Sequence, residues 1–133
     1  MGTNALFVAL GGGIGAALRY LLSAVVTRAC GSIVWAGAIP MGTLCVNVIG
    51  CFAIGLLAPT LAALDPARPR LTLFLVTGVL GGFTTMSSFS NETLTLFTGG
   101  QHALAVGYAL GTFALCIAAV ALGTACAHAL AAR

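Results

Sequence analysis

Four long apolar blocks dominate this 133-residue sequence, at residues 6–26, 41–61, 71–97 and 103–129. Each is about as long as the roughly 20 residues that an α-helix needs to cross a bilayer. Only 5% of the residues are charged and the mean hydropathy is +1.14, whereas a soluble domain carries about 25% charged residues. Lipid-facing backbone must satisfy its own hydrogen bonds, so each block is expected to be helical. The sequence therefore predicts an all-α integral membrane protein with four transmembrane helices in a single domain.

The few charges restrict both the partners and the orientation of the chain. The formal net charge of +3 includes no lysine, and five scattered arginines are too sparse for a nucleic-acid-binding surface. Four spans would place Arg68, Arg70 and Arg133 on the side of the termini and Arg28 on the opposite side. The positive-inside rule then leans towards termini inside, but so weak a bias permits insertion in both orientations.

Polar side chains recur at helical spacing inside the apolar blocks. One face of the second block carries Thr43, Asn47 and Cys51, and one face of the fourth carries Tyr108, Thr112 and Cys116. The third block carries a further polar cluster, made of Thr84, Ser87, Ser88, Asn91, Glu92 and Thr95. A single Ser or Thr often only bonds back to its own helix, but three polar faces favour a bundle interior or a wet path. Donors outnumber acids here, which suits an anion better than a cation.

The third block also contains GVLGGFTTMSSFS, residues 78–90, with glycines in its first half and hydroxyls in its second. Non-helical backbone at membrane depth is tolerated where it is buried in protein or lines a cavity, and its bare carbonyls and amides can bind ions. We expect Gly78, Gly81 and Gly82 to permit a break in the helix at mid-membrane, with Thr84 and Thr85 helping to satisfy it. A purely structural kink is the alternative.

Small residues elsewhere in the blocks have structural interpretations. The GxxxG steps Gly11–Gly15 and Gly107–Gly111 predict close packing of helix backbones. The five cysteines show no metal-ligand spacing, and four of them lie in apolar blocks. We interpret them as small core-filling residues rather than as disulfides or metal ligands.

Three motifs make the sequence similar to the Fluc, or CrcB, family of small bacterial fluoride channels. They are GAALRY at residues 15–20, GTLCVNVIGCFAIG at residues 42–55 and GVLGGFTTMSSFSNE at residues 78–92. The fourth block matches only loosely, through Tyr108, Thr112 and its glycines. The order and spacing of the second and third motifs, in a chain of this length, carry the resemblance.

The resemblance implies a channel and not an enzyme. It implies an antiparallel homodimer of four-helix subunits, inserted in both orientations in the bacterial inner membrane, with two fluoride pathways. It also implies a structural sodium ion at the dimer centre, held by backbone carbonyls that match Gly81 and Thr84 here. Fluoride would leave the cell by passive flux, which would relieve fluoride toxicity.

The resemblance also assigns residues to the pathway. Asn47 matches the family asparagine and Phe89 the second of two family phenylalanines, whereas the first falls on Met86, a departure from the family. A polar track on the fourth span matches Tyr108, Thr112 and, less clearly, Cys116, and the family arginine matches Arg19. The predicted fluoride pathway is Arg19, Asn47, Met86, Ser87, Ser88, Phe89, Tyr108 and Thr112.

Two other functions fit four apolar spans. One is a proton-coupled exporter of the small multidrug resistance kind, which would have to use Glu92 because the first span contains no acid. The other is a non-transporting assembly subunit of a larger membrane complex, which the GxxxG steps allow but which leaves the polar faces unexplained.

Overall fold

The structure is a computed structural model that describes residues 2–30, 39–64 and 69–132. Its helices are α1 (Gly2–Cys30), α2 (Met41–Leu64), α3 (Pro69–Thr72), a π-helical segment (Leu73–Leu80), α4 (Gly81–Phe83), α5 (Met86–Thr98) and α6 (His102–Ala131). These described ranges contain no β-strand, so the all-α prediction is confirmed for them.

Four helical segments are long and apolar enough to cross a membrane: Gly2–Cys30, Met41–Ala63, Arg70–Thr98 and His102–Ala131. Each contains one of the predicted blocks, and three of them continue past it at both ends. Large apolar side chains cover the outside of the bundle, with Leu10 65% exposed and Leu110 66% exposed. Exposure of this kind is rare in soluble monomers and suits contact with lipid. The chain is a multi-pass membrane protein, as predicted.

Glycines join α1 to the third span, Arg70–Thr98, by direct backbone contact. A Cβ atom placed on Gly11 would lie 3.0 Å from the Gly78 Cα atom, and one on Gly15 would lie 2.8 Å from the Phe83 nitrogen. No side chain larger than hydrogen fits between these backbones. The packing predicted for the first GxxxG step is therefore confirmed.

The four spans form two pairs of helices that run in the same direction. Arg70 begins the third span and lies over the ring of Phe7 near the start of α1, with 5.9 Å from the guanidinium carbon to the ring centroid. The second pair, α2 and α6, makes the most extensive contact between any two elements. Gly55 and Gly123 lie where these helices cross, and the Thr124 hydroxyl donates to the Gly55 carbonyl at 3.3 Å.

Two other expectations about the spans have different outcomes. The packing predicted for Gly107–Gly111 does not occur among the described residues of the subunit, because a Cβ atom on either glycine would meet none of their atoms within 4 Å. This face of α6 is turned outward. Arg68 and Arg133, which support the orientation argument, lie outside the described residues.

The backbone becomes extended at Thr84 and Thr85, halfway along the third span. Thr84 has φ −76° and ψ 157°, and Thr85 has φ −148° and ψ 110°; we call these two residues the extended link. Gly81 is helical, with φ −64° and ψ −37°, and no glycine of the 78–90 run has a positive φ. The expectation that glycine torsions supply the irregular backbone is therefore wrong. Threonine favours extended backbone because it is β-branched, whereas Gly78 serves close packing against α1.

Candidate functional site

Asn47 on α2 pairs with the backbone of Thr85 in the extended link. The Asn47 Nδ2 atom donates to the Thr85 carbonyl at 3.1 Å, and the Thr85 amide donates to Asn47 Oδ1 at 2.8 Å. Both residues are buried, with 9% and 7% of their surface exposed. Buried backbone polar groups need partners, and here one side chain supplies both for a residue that has left the helix.

Two carbonyls beside the extended link lose their usual helical donors. In a continuous α-helix the Thr85 amide would bond the Gly81 carbonyl, and the Ser88 amide would bond the Thr84 carbonyl. Here the Thr85 amide bonds Asn47 instead, and the Ser88 amide bonds the Thr85 hydroxyl at 3.2 Å. The carbonyls of Gly81 and Thr84 are the two that the sequence resemblance assigns to sodium. Carbonyl oxygens are suitable ligands for hard cations.

Three hydroxyls gather at the start of α5. The Thr85 Oγ1 atom donates to Ser88 Oγ at 3.0 Å and lies 3.2 Å from Ser87 Oγ. Because Thr85 also accepts the Ser88 amide, it is the N-cap of α5, a position where Thr is favoured. The N-terminus of a helix carries partial positive charge, so this end of α5 favours an anion.

Glu92 connects α5 to α2 and α6. Its two carboxylate oxygens accept hydrogen bonds from the Thr43 hydroxyl at 2.7 Å and the Tyr108 hydroxyl at 2.9 Å. The Tyr108 ring also packs against Phe89, with ring centroids 5.4 Å apart and ring planes inclined at 46°. Glu92 therefore fixes the position of Tyr108, and both of its oxygens are occupied by neighbouring hydroxyls.

The polar faces predicted on α2 and α6 meet as three successive pairs, which we call the polar ladder. Glu92 bridges the first pair, and the other two pairs line one cleft of about 330 Å³. The pairs share the same offset in sequence, because neighbouring helices that run in parallel advance together at i, i+4 and i+8. The ladder consists of Thr43 with Tyr108, Asn47 with Thr112, and Cys51 with Cys116.

Thr112, in the second pair of the polar ladder, carries a hydroxyl that no described residue hydrogen-bonds. Its Oγ1 atom is buried and has no hydrogen-bond partner among the described residues, and the residue is 5% exposed. A buried hydroxyl without a partner costs about 1–3 kcal/mol.

A second, more polar cavity of about 440 Å³ lies beside the cleft and contains Arg19. Ser88 and Glu92 also line it, so it combines one basic, one acidic and several hydroxyl side chains. Thr85 lines both this cavity and the cleft. We call the second cavity the vestibule, and the extended link separates it from the cleft.

The predicted pathway residues divide between these two spaces. The cleft contains Asn47, Met86, Phe89 and Thr112, and it also contains Gly81 and Thr84. The vestibule contains Arg19 and Ser88, whereas Tyr108 is buried behind Glu92 and Ser87 joins the Thr85 hydroxyl cluster. Met86 is 71% exposed on the subunit surface. The roles of the predicted pathway residues in conduction stay predictions.

Sequence reasoning missed three residues of this site. Thr85 was expected to help satisfy a helix break, Thr43 to belong to a polar face, and Glu92 to belong to the polar cluster of the third block or to serve an exporter, but none was assigned to the pathway. The spacing of Thr43 four residues before Asn47 was the available signal for the first pair of the ladder. Nothing in the sequence indicated that Asn47 bonds Thr85, which lies 38 residues away.

Comparison with known proteins identifies the family. A channel from Ruminiclostridium cellulolyticum named fluoride-specific ion channel FluC is 43% identical over 120 residues, covering 90% of this chain and 88% of that protein. Proteins of the same name from Rhizobium johnstonii and from a Roseiflexus species are 44% and 48% identical, each covering 96% of this chain and 98% of the relative. The family described as "CrcB-like protein, Camphor Resistance (CrcB)" matches residues 6–124. The chain therefore belongs to the CrcB family.

Proposed function

We propose that this protein is a fluoride channel that exports fluoride from the bacterial cell by passive flux across the inner membrane. The curated relatives carry the name fluoride-specific ion channel over nearly their full lengths. The observation that carries the proposal is the cleft beside the extended link, where the buried Thr112 hydroxyl lacks a partner among the described residues. Hydrogen fluoride enters acidic surroundings as a neutral molecule and ionises inside, so a membrane conductor for the ion relieves its accumulation.

Fluoride is small and strongly hydrated, so a pathway must replace its water with strong donors. The vestibule offers Arg19 and the Ser88 hydroxyl, and the positive end of α5 lies between the vestibule and the cleft. In the cleft, Asn47 has one N–H beyond the bond it gives to Thr85, and the Thr112 hydroxyl has no partner in the part of the chain that the structure describes. The ring edges of Phe89 carry partial positive charge. We infer that the anion moves along these donors.

The pathway requires a second subunit in this proposal. The cleft is bordered by Met86 and Phe113, which are 71% and 67% exposed, so one subunit leaves it open on one side. The Gly107–Gly111 face of α6 also packs against no other residue in the ranges that the structure describes. An antiparallel homodimer would cover both and would form two equivalent pathways. The weak arginine bias is compatible with the two orientations that such a dimer needs.

A sodium ion at the dimer centre is part of the proposal. The Gly81 and Thr84 carbonyls would hold it, with the third span broken at mid-membrane by the extended link. Bound there, the cation supplies positive charge that fixes the two carbonyls and joins the subunits. In this chain, Asn47 accepts the Thr85 amide and the Thr85 hydroxyl accepts the Ser88 amide. In a continuous helix these two amides would bond the Gly81 and Thr84 carbonyls, which are thereby left for the cation.

Neither alternative function gains support from a specific observation. A proton-coupled exporter would use Glu92 as its proton carrier, but here the two Glu92 oxygens accept hydrogen bonds from Thr43 and Tyr108 and so join α5 to α2 and α6. An assembly subunit gives no reason for a buried hydroxyl in the middle pair of the polar ladder that has no partner among the described residues. The relatives' names likewise refer to channels.

Fluoride efflux from reconstituted liposomes tests the proposal. Vesicles loaded with potassium fluoride should release fluoride rapidly, but only when a potassium ionophore carries the compensating charge. Matched vesicles loaded with potassium chloride and vesicles without protein are the controls. Efflux that needs no ionophore but needs a proton gradient would instead support an exporter, and no efflux under either condition would overturn transport.

Cross-linking tests the assembly separately. Single-cysteine variants in a background without native cysteines should cross-link in pairs that place the end of α1 of one subunit beside the start of the third span of the other. Only parallel pairs, or a monomer that conducts, would contradict the antiparallel dimer. Purification with a larger alkali cation in place of sodium should reduce efflux if the carbonyl site is required.

A further inference from the structure

The third pair of the polar ladder consists of two thiols. Cys51 on α2 and Cys116 on α6 line the same cleft as Asn47 and Thr112, and neither is in a disulfide. Cys51 and Cys116 have the same offset in sequence as Thr43 and Tyr108, whose hydroxyls both bond Glu92, so the two cysteines occupy equivalent positions two turns further along the facing helices. One turn further along both helices, Gly55 lies against the backbone of Val120, where an added Cβ atom would be 3.0 Å from the Val120 carbonyl carbon. Two cysteines that were interpreted as core-filling residues thus face each other in the proposed conduction space.

The chemistry of this pair differs from that of the other two. A thiol is a weak hydrogen-bond donor, so it is a poor replacement for water around fluoride. Thiolates are soft ligands that select soft metal ions. The described residues contain no group of three or more His, Cys, Asp or Glu side chains able to hold a metal, which leaves two sulfur donors and excludes a tetrahedral zinc-type site there. Met86 adds a third sulfur atom, a thioether, to the lining of the same cleft.

We propose that Cys51 and Cys116 form a two-coordinate site for a soft, thiophilic metal cation, and that occupancy of this site blocks fluoride flux. With a mercuric ion as the probe, two thiols form two mercury–sulfur bonds and release two protons, which leaves the bridge without net charge. A neutral product is favoured inside a membrane because isolated charge is costly there. The binding step stands on the dithiol alone, and the effect on flux rests on the proposed channel function.

The binding experiment uses full-length protein in which Cys30, Cys45 and Cys126 are replaced by Ser. Treatment with mercuric chloride followed by a monothiol wash should leave one mercury per chain by intact mass, with both remaining thiols consumed. Cys51→Ser or Cys116→Ser in that background should lose the mercury in the wash, because a single sulfur cannot chelate. If the background protein does not purify, wild type is compared with Cys116→Ser and with its control Cys126→Ser on the same helix. Only Cys116→Ser should then reduce the retained mercury by one.

Flux is measured on the same samples, each normalised to its own untreated rate. Mercury should reduce fluoride efflux to the protein-free background where both thiols are present, a dithiol should restore it, and the single-thiol variants should recover after the monothiol wash. Failure to retain mercury overturns the site. Retained mercury with undiminished efflux overturns the placement of the pair in the pathway. Retained mercury in protein with no efflux before treatment supports the site and overturns the channel function instead.

Discussion

The two halves of the third span are held in place by different means. The first half, Leu73–Leu80, is a π-helical segment whose Gly78 touches the backbone of Gly11 on α1. The second half, Met86–Thr98, is held by the Thr43 and Tyr108 hydroxyls that bond Glu92, and the extended link just before it is held by Asn47. The position of the first half therefore depends on glycines, which have no side chain, at the contact with α1. The position of the second half depends on particular polar side chains that form hydrogen bonds. A π-helical stretch next to such a site is a common feature of functional helices.

This comparison predicts that a bulky residue at the glycine seam prevents folding. Gly11→Val places a Cβ atom 3.0 Å from the Gly78 Cα atom and the Val79 nitrogen. Backbone cannot move aside as a side chain can, so the change should exceed the usual cost of overpacking, about 1–3 kcal/mol. Gly13→Val, two residues away on the same helix, would meet nothing within 4 Å. The yield of monodisperse protein on size-exclusion chromatography should collapse for Gly11→Val alone, and equal yields would contradict a backbone seam.

The second prediction applies to the hydrogen-bonded half. Asn47→Ala removes both bonds to Thr85 and leaves a buried amide unpaired. If the loss of a bond to a charged group, about 1.5–3 kcal/mol, falls on the conduction barrier, fluoride efflux drops roughly 10- to 150-fold. Asn47→Asp should be worse, because a carboxylate faces the Thr85 carbonyl without a donor and repels the anion.

The control for Asn47 is Asn91→Ala, because the Asn91 side chain is exposed on α5. Efflux should be unchanged in that variant. Thermal stability measured alongside efflux separates a conduction defect from a folding defect. Wild-type efflux in Asn47→Asp would remove this residue from the pathway.

The same contrast explains what could be predicted from sequence. The lengths of the apolar blocks are enough to predict the four spans. The i, i+4 spacing of polar residues identifies the faces of α2 and α6 that form the polar ladder. The partner of Asn47 could not be predicted, because no local periodicity relates residues 38 apart. The glycines of the third block do not indicate which backbone torsions they adopt, since small residues serve both irregular backbone and close packing. Distinguishing those two uses requires knowing which helix lies opposite.

A third prediction concerns the two hydroxyls that hold Glu92. Tyr108→Phe removes one hydrogen bond to the carboxylate but keeps the ring that packs against Phe89. A bond of about 1.5 kcal/mol, at the low end for charged groups, corresponds to about a tenfold reduction in efflux if it falls on the barrier. Thr43→Val removes the other bond.

A double-mutant cycle sharpens this test. Because Thr43 and Tyr108 share one carboxylate, their effects on efflux should not be additive. The double variant Thr43→Val with Tyr108→Phe leaves Glu92 without these two donors and should cost more than the two single changes together. Strict additivity would show that Glu92 does not couple α2 to α6.

The smallest expected effect is at Met86, where the chain departs from its family. Methionine fills space with a flexible, polarizable stem, whereas a phenylalanine would present a ring edge with partial positive charge to the anion. Because Met86 is 71% exposed and lines the cleft, a larger ring meets no crowded core within the subunit. Met86→Phe should therefore keep or raise fluoride efflux, and Met86→Leu, which has neither ring nor sulfur, should stay near wild type. Loss of efflux in Met86→Phe with normal efflux in Met86→Leu would mean that the cleft is already filled at this position by the partner subunit, and that the aromatic pathway assigned here runs elsewhere.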